Sequence, residues 1–319
     1  MRERIKQRMI AVGAWKAPPV NGKSCIIMYH GIDQHERTDL NLRFFSQRNF
    51  DRHVAFFKRN YNVLPLSDLC DGHGLQSDRL NVAITFDDGY RNNLTYALPV
   101  LEKYECPATF FITGLNTIGE ETLWADLLDI CGPRIQEPSI GFRGMVFERG
   151  TTGRFPTLRT YIKGAGFLGT DAFGELKEIL VRMSGVDLST NELQDYFRLM
   201  TDDEIRQISR TKHVRIGSHG MFHNNLGRIP LQRALDELIR SKTYLEHVIG
   251  RPIDSVGYPD GSYSPELAQA AYDLGFLYQC AVDFQDVADA GRSYLHDRIG
   301  LYPALTLPTM HHQIAAFSR

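Results

Sequence analysis

The chain has 319 residues, of which 43% are hydrophobic and 11% aromatic, enough to bury one large α/β core or two smaller ones. Its 36 Lys and Arg stand against 38 Asp and Glu, a formal net charge of -2, and no basic run concentrates positive charge; a nucleic-acid backbone is therefore not the expected partner. The five cysteines are scattered, with no CxxC pair, so they read as buried free thiols and not as a metal site or a disulfide framework.

In chain order, the first twenty residues carry positive charge but no apolar stretch of signal-peptide length. No later segment reaches the roughly 20 apolar residues of a membrane span. A cytoplasmic protein is expected, with a peripheral membrane contact through residues 9–15 left open. Residues 24–29 (SCIIMY) read as a buried strand that runs straight into His30 and Gly31. Phe50, Val54 and Phe57 recur at helical spacing. Residues 63–66 suggest a second short strand, and 82–86 a clearer third, ending at Asp87, Asp88 and Gly89. Leu94, Ala97, Leu98 and Leu101 then make a helical stripe, and 108–112 the next strand.

The middle of the chain, about 119–200, breaks this rhythm. An amphipathic piece around Leu123, Leu127 and Leu128 leads into a Gly- and Arg-rich stretch with Phe142, Arg143, Phe147, Arg149, Arg154 and Phe155. Helical patterns return at 173–183 and 192–199, and Thr201 with Glu204 predicts a capping box. The segment reads as an insertion without a core of its own, in a single domain covering 1–319. Alternation resumes with a strand at 214–216, a long helix from Leu231, a strand at 255–258, a helix at 265–274 and a strand at 276–281. Repeated βα alternation predicts a parallel sheet, open or closed into a barrel.

The polar residues gather where these strands end, the edge at which parallel α/β folds handle ligands. Adjacent carboxylates such as Asp87 and Asp88 can divide metal ligation and proton transfer between them, although a DDG triplet serves equally as a plain turn. His219 and His223 follow the 214–216 strand at a spacing that lets two imidazoles reach one ion if the connection coils. One carboxylate and two imidazoles together make a three-ligand site with room for water. There is no G-x-S-x-G elbow, P-loop or dinucleotide fingerprint, so serine-esterase chemistry has no support.

The run TFDDGYRNN (85–93) with GSHGMFHNNL (217–226) resembles the polysaccharide deacetylase superfamily, the NodB-like carbohydrate esterases. MYHGI (28–32), PATFFITG (107–114), YPDGSYS (258–264) and DRIG (297–300) extend the similarity over about three quarters of the chain, leaving the insertion largely unmatched. The resemblance implies a distorted, TIM-like (β/α)7 barrel, a divalent metal, commonly zinc, and removal of an N-acetyl group from a sugar or glycan precursor. It carries the metal ligands onto Asp88, His219 and His223, and the general base onto Asp87. The family's third motif falls on Pro259, Asp260 and Gly261, where Asp260 replaces the aromatic residue common in relatives. Arg298 is expected to pair with Asp87 and keep it ionised. His30, at the end of the first strand, is the preferred candidate acid, with His311 and His312 read as surface residues. Arg143 and Arg154, with the neighbouring aromatics, are candidate contacts for an anionic or lipid-linked sugar. O-deacetylation, deformylation and a non-catalytic carbohydrate-binding barrel remain as competing readings.

Overall fold

A computed structural model describes residues 19–38, 40–164, 169–303 and 305–319. The candidate membrane contact at 9–15 lies outside the described residues.

Nine strands build the main sheet: β1 (Ser24–Tyr29), β2 (Tyr61–Val63), β3 (Leu80–Phe86), β4 (Ala108–Ile112), β5 (Val214–Ser218), β6 (Ser255–Gly257), β7 (Tyr278–Cys280), β8 (Leu295–His296) and β9 (Ile299–Gly300). Their order is β8-β7-β6-β5-β4-β3-β1-β9, and every pairing is parallel. β2 pairs with the first half of β3, through Val63 and Val82, while β4 takes the same side higher up, through Thr85 and Thr109.

The two ends of this order, β8 and β9, are consecutive in the chain and separated only by Asp297 and Arg298. The sheet therefore curls until its edges meet, and the seventh stave of the barrel is one strand interrupted by those two residues. This is the distorted (β/α)7 barrel expected from the sequence. The interruption was not legible there, because two-residue strands carry no periodic signal.

Side-chain alternation sorts the strands into two layers. Cys25, Ile27 and Tyr29, Val82, Ile84 and Phe86, and Ala108, Phe110 and Ile112 join the large cluster that packs against the helices. Ile26, Ala83, Phe111 and Cys280 belong to a separate small cluster that fills the barrel interior. Gly217 makes room for Phe111: a Cβ there would lie 2.5 Å from its ring. The same parity that turns Ala83 and Thr85 inward also turns Asp87 inward, and it carries from Gly217 to His219 and from Ile26 and Met28 to His30. The rim that carries these side chains is thus the continuation of the barrel's inner face.

The insertion comprises the helices Trp124–Cys131, Pro156–Gly164, Thr170–Ser184 and Asn191–Phe197 and an antiparallel ribbon, Ser139–Phe142 with Met145–Glu148. Its apolar side chains form a substantial cluster shared with the barrel rim. Trp124, Leu127, Phe147, Phe155, Phe173 and Leu176 are all buried in it, together with Phe44, Tyr90, Met221 and Phe222 from the barrel rim. The capping box of Thr201 with Glu204 opens the helix Asp202–Ser209. The end of the insertion is pinned beside the DDG turn: Met200 N donates to Gly89 O at 2.9 Å and Arg91 N to Arg198 O at 2.8 Å. Among the described residues no helix is long and apolar enough to cross a membrane, and all five cysteines are free, four of them buried.

Candidate active site

Asp87 leaves β3 on the inner face and is buried. Arg298, at the barrel seam, gives it two parallel hydrogen bonds, Nη1 to Oδ1 at 2.7 Å and Nη2 to Oδ2 at 2.9 Å. The guanidinium also reaches Thr85 Oγ1 (3.2 Å) and lies over the Phe111 ring at 5.2 Å. Burial alone would raise the Asp87 carboxyl; the Arg298 and His219 charges outweigh it and hold the group below its ordinary value.

Strict alternation would send Asp88 outward. Its φ of 77°, in the left-handed region, turns the chain so that its carboxylate meets the histidines. Such strain in a non-glycine residue persists only where the surroundings impose it. Asp88 Oδ1 lies 3.4 Å from His219 Nε2 and 3.3 Å from His223 Nε2. Asp88, His219 and His223 offer ligand atoms that all fall within 4.8 Å of one another.

The connection between the histidines is a tight loop and not a helical turn, with His223 itself at φ 56°. Three supports hold it. His219 Nδ1 meets Gly257 O at 2.7 Å, which leaves Nε2 to face the cluster. Buried Glu237, on the helix Leu231–Ile249, accepts from Met221 N and Phe222 N at 3.2 Å and from Asn224 Nδ2 at 2.7 Å. Trp124 of the insertion donates Nε1 to His223 O at 3.2 Å, so it packs a helix and braces the loop.

The donor set fits a divalent cation. Among the described residues Asp88 Oδ1 is buried with no hydrogen-bond partner, an arrangement that costs free energy unless a positive charge answers it. Its carboxyl is held well below the ordinary value: burial opposes ionisation, but His219, His223 and Arg43 more than compensate.

Arg43 is the residue that sequence reasoning missed. Its Nη1 lies 3.2 Å from the outer oxygen of Asp88, and its Nη2 donates to Tyr90 Oη at 2.9 Å and Asp126 Oδ1 at 2.7 Å. Tyr90 Oη donates in turn to Asp126 Oδ2 at 2.6 Å. Burial pushes Asp126 up to about 6 despite the guanidinium beside it. With its outer oxygen occupied by Arg43, Asp88 presents Oδ1 alone to the histidines.

A cavity of about 420 Å³ opens over this centre, lined by His30, Arg43, Asp87, His219, His223, Asp260 and Gly261 and by Arg154, Arg159 and Lys163 of the insertion. Burial and then the Arg43 charge push His30 down to about 4, so its imidazole is neutral at pH 7. In the third motif Asp260 stands at φ 56°, with its carboxylate on Lys163. The Gly261 N–H is already engaged, donating to Tyr258 O at 2.8 Å. Pro259 is buried and is not part of the lining.

Arg154 is therefore at the cavity, but Arg143 is not: it faces Glu175 across 3.8 Å at the insertion surface. Phe142 and Phe155 are likewise withdrawn into the insertion's cluster, where their apolar area is better spent than on a wet rim. His311 packs on Tyr61, its Nδ1 2.6 Å from the phenol oxygen, and neither His311 nor His312 lines the cavity.

Comparison with known proteins agrees with this geometry. The polysaccharide deacetylase family model matches residues 76–140 and 144–279, more than half of the chain. A Bacillus subtilis (strain 168) protein described as a polysaccharide deacetylase, YxkH, is 31% identical over 120 residues; the match spans 37% of this chain and 41% of YxkH. Among solved structures, the Streptococcus pyogenes deacetylase PplD in complex with acetate is similar with a TM-score of 0.59 at 18% identity, covering 92% of this chain and 99% of that one. IcaB from Ammonifex degensii is similar with a TM-score of 0.56 at 16% identity, covering 95% and 99%. At these identities the two structures show a shared fold. Together with the family match across both halves of the metal cluster, they lead to one conclusion: the chain belongs to the polysaccharide deacetylase family.

Proposed function

We propose that the protein is a metal-dependent hydrolase that removes the N-acetyl group from a sugar or glycan precursor, with Asp87 as general base. The carrying observation is the buried Asp87, paired with Arg298, which lines the same cavity as His219 and His223, the two histidines that cluster with Asp88. A divalent ion held by those three side chains would supply a Lewis acid for the acyl carbonyl and an acidified water. Zinc is favoured. One carboxylate and two imidazoles, with a position left for water, are a ligand set that zinc takes.

Asp87 takes the proton as the water oxygen adds to the acyl carbon. Because its carboxyl is held low, the protonated form is a strong acid and readily returns that proton to the leaving nitrogen. The C–N bond then breaks to give acetate and a free amine. Arg298 orients Asp87 and cannot itself lose a proton. His30, neutral at pH 7, serves as a hydrogen-bonding partner at the reacting group and is not the acid at rest. The third-motif residues Asp260 and Gly261 frame the acyl side of the cavity, with Pro259 supporting them from beneath.

A cytoplasmic setting remains part of the proposal, tested by fractionating cells that express the full chain. Mass spectrometry of products from a panel of N- and O-acylated sugars tests the reaction. Free amines are expected; products formed only from esters would replace N-deacetylation with O-deacetylation.

A further inference from the structure

Building on the sugar-deacetylase reading, we infer that Arg154, Arg159 and Lys163 form a second subsite in the same cavity, one that binds a phosphoryl group carried by the substrate sugar. All three come from the insertion and line the cavity together with His219 and His223. Arg159 and Lys163 are four residues apart on the helix Pro156–Gly164 and so share a face. Arg154 approaches from the turn before that helix.

The charges on this wall do not cancel. Asp129 Oδ1 accepts from both Arg154 Nη1 at 2.8 Å and Arg159 Nη2 at 2.7 Å, so one carboxylate serves two guanidinium groups. Lys163 pairs with Asp260. Three cations therefore face two carboxylates. Asp87 is matched by Arg298, and Arg43 lies between Asp88 and Asp126, so at the metal cluster the surplus is negative, the charge a divalent ion answers. The surplus positive charge belongs to the insertion wall. Side-chain exposures of 41, 32 and 38% leave the three cations wetted and within reach of a ligand.

A neutral acetylated sugar offers hydroxyl acceptors but no negative charge to answer the surplus. A phosphoryl group offers about -1.5 to -2 charge and three acceptor oxygens, the count that three cations can share, and guanidinium forks match its geometry. A uronate carboxylate brings one charge and two oxygens, enough for the surplus charge but one acceptor short of the three cations. Arg159 is braced for the task by Trp124, whose ring centroid lies 5.8 Å away, and by a bond to Ala125 O at 3.2 Å. Across the cavity Met28, Leu42, Val282 and Tyr302 give an apolar wall for the sugar ring or what is attached to it.

The test is steady-state kinetics of the metal-loaded full chain with N-acetylglucosamine, N-acetylglucosamine 1-phosphate, UDP-N-acetylglucosamine, a polyprenyl-diphosphate-linked N-acetylglucosamine and an N-acetylglucosamine–glucuronate disaccharide. At least one phosphorylated substrate should exceed the neutral sugar in kcat/KM by about ten- to a hundredfold, and which one does identifies the source of the phosphoryl group. In the double variant Arg154→Gln/Arg159→Gln that ratio should fall toward one; Lys163→Gln gives the same reading if the double variant does not fold. Equal kcat/KM for neutral and phosphorylated sugars overturns the subsite while leaving deacetylation intact. An advantage that survives the variants means the phosphoryl group engages the metal centre and not these cations, which also overturns it. An advantage for the glucuronate disaccharide equal to that of the phosphates overturns the choice of phosphate. Absence of amine product from every substrate counts instead against the deacetylase reading.

Discussion

The barrel rim and the insertion treat charge in opposite ways. At the rim the ions sit in fixed, largely buried contacts: Arg298 spends two nitrogens on buried Asp87, and half-buried Arg43 bridges buried Asp88 and Asp126. On the insertion wall a single carboxylate serves two half-exposed arginines, and Lys163 reaches across to the barrel's Asp260. Buried pairs in fixed geometry hold a reacting group in place, because neither partner can leave without stranding the other. Exposed pairs cost little to exchange for a ligand. The barrel thus carries the chemistry, and the insertion is free to carry selectivity.

If that division is right, substitutions at the rim should act strongly and those on the insertion surface weakly. The largest effect is expected for His219→Ala, which leaves two ligands: metal content measured by elemental analysis should fall far below one ion per chain, with activity lost. Asp87→Asn should keep the metal yet lower kcat by about 10²–10⁴-fold, and this contrast in metal content separates base from ligand.

Arg298→Met leaves a buried carboxylate without its partner, a change that costs about 3–5 kcal/mol and is readable by denaturant unfolding. Its pH dependence has a definite sign. In the native chain the Asp87 carboxyl is held low, so the stability it contributes is present above its unfolded pKa and is lost as pH falls through the folded value. Without Arg298 burial dominates and raises that carboxyl, so the acidic limb of the kcat profile should move to higher pH. Arg43→Met combined with Asp126→Asn, which avoids stranding Asp126, should change metal affinity or kcat by about 10–100-fold, measured by competition with a chelating dye. The smallest effect is expected for Arg143→Ala, whose pair is exposed: stability within about 0.5 kcal/mol of the parent and no change in kcat/KM.

What could be read from the sequence follows the same division. The strands 24–29 and 108–112 match the structure residue for residue, and the strand at 214–216 extends to Ser218, because buried parallel strands announce themselves as short apolar runs. Asp87, Asp88 and His219 were legible because each sits at the end of such a run, and His223 through its spacing from His219. Arg43 and Glu237 were not. Arg43 reaches a carboxylate 45 positions away, and Glu237 braces a loop from a helix whose amphipathic pattern gives no hint of a buried charge. The insertion was misread in a third way. Its aromatics looked available for a sugar, yet Phe142, Phe147 and Phe155 complete the cluster that allows the segment to hold a shape. Two of the cations that do reach the cavity, Arg159 and Lys163, lie on a helix that the Gly- and Arg-rich composition concealed.

Deacetylation of an N-acetylated sugar by the purified full chain, followed by free-amine release before and after chelation and again after a divalent ion is restored, tests the central claim most directly. The account predicts amine and acetate in equal amounts from the metal-loaded protein, loss of both on chelation, recovery on adding back the ion, and no recovery in Asp87→Asn. Amine release that survives chelation, or that persists undiminished in metal-loaded Asp87→Asn, would contradict it.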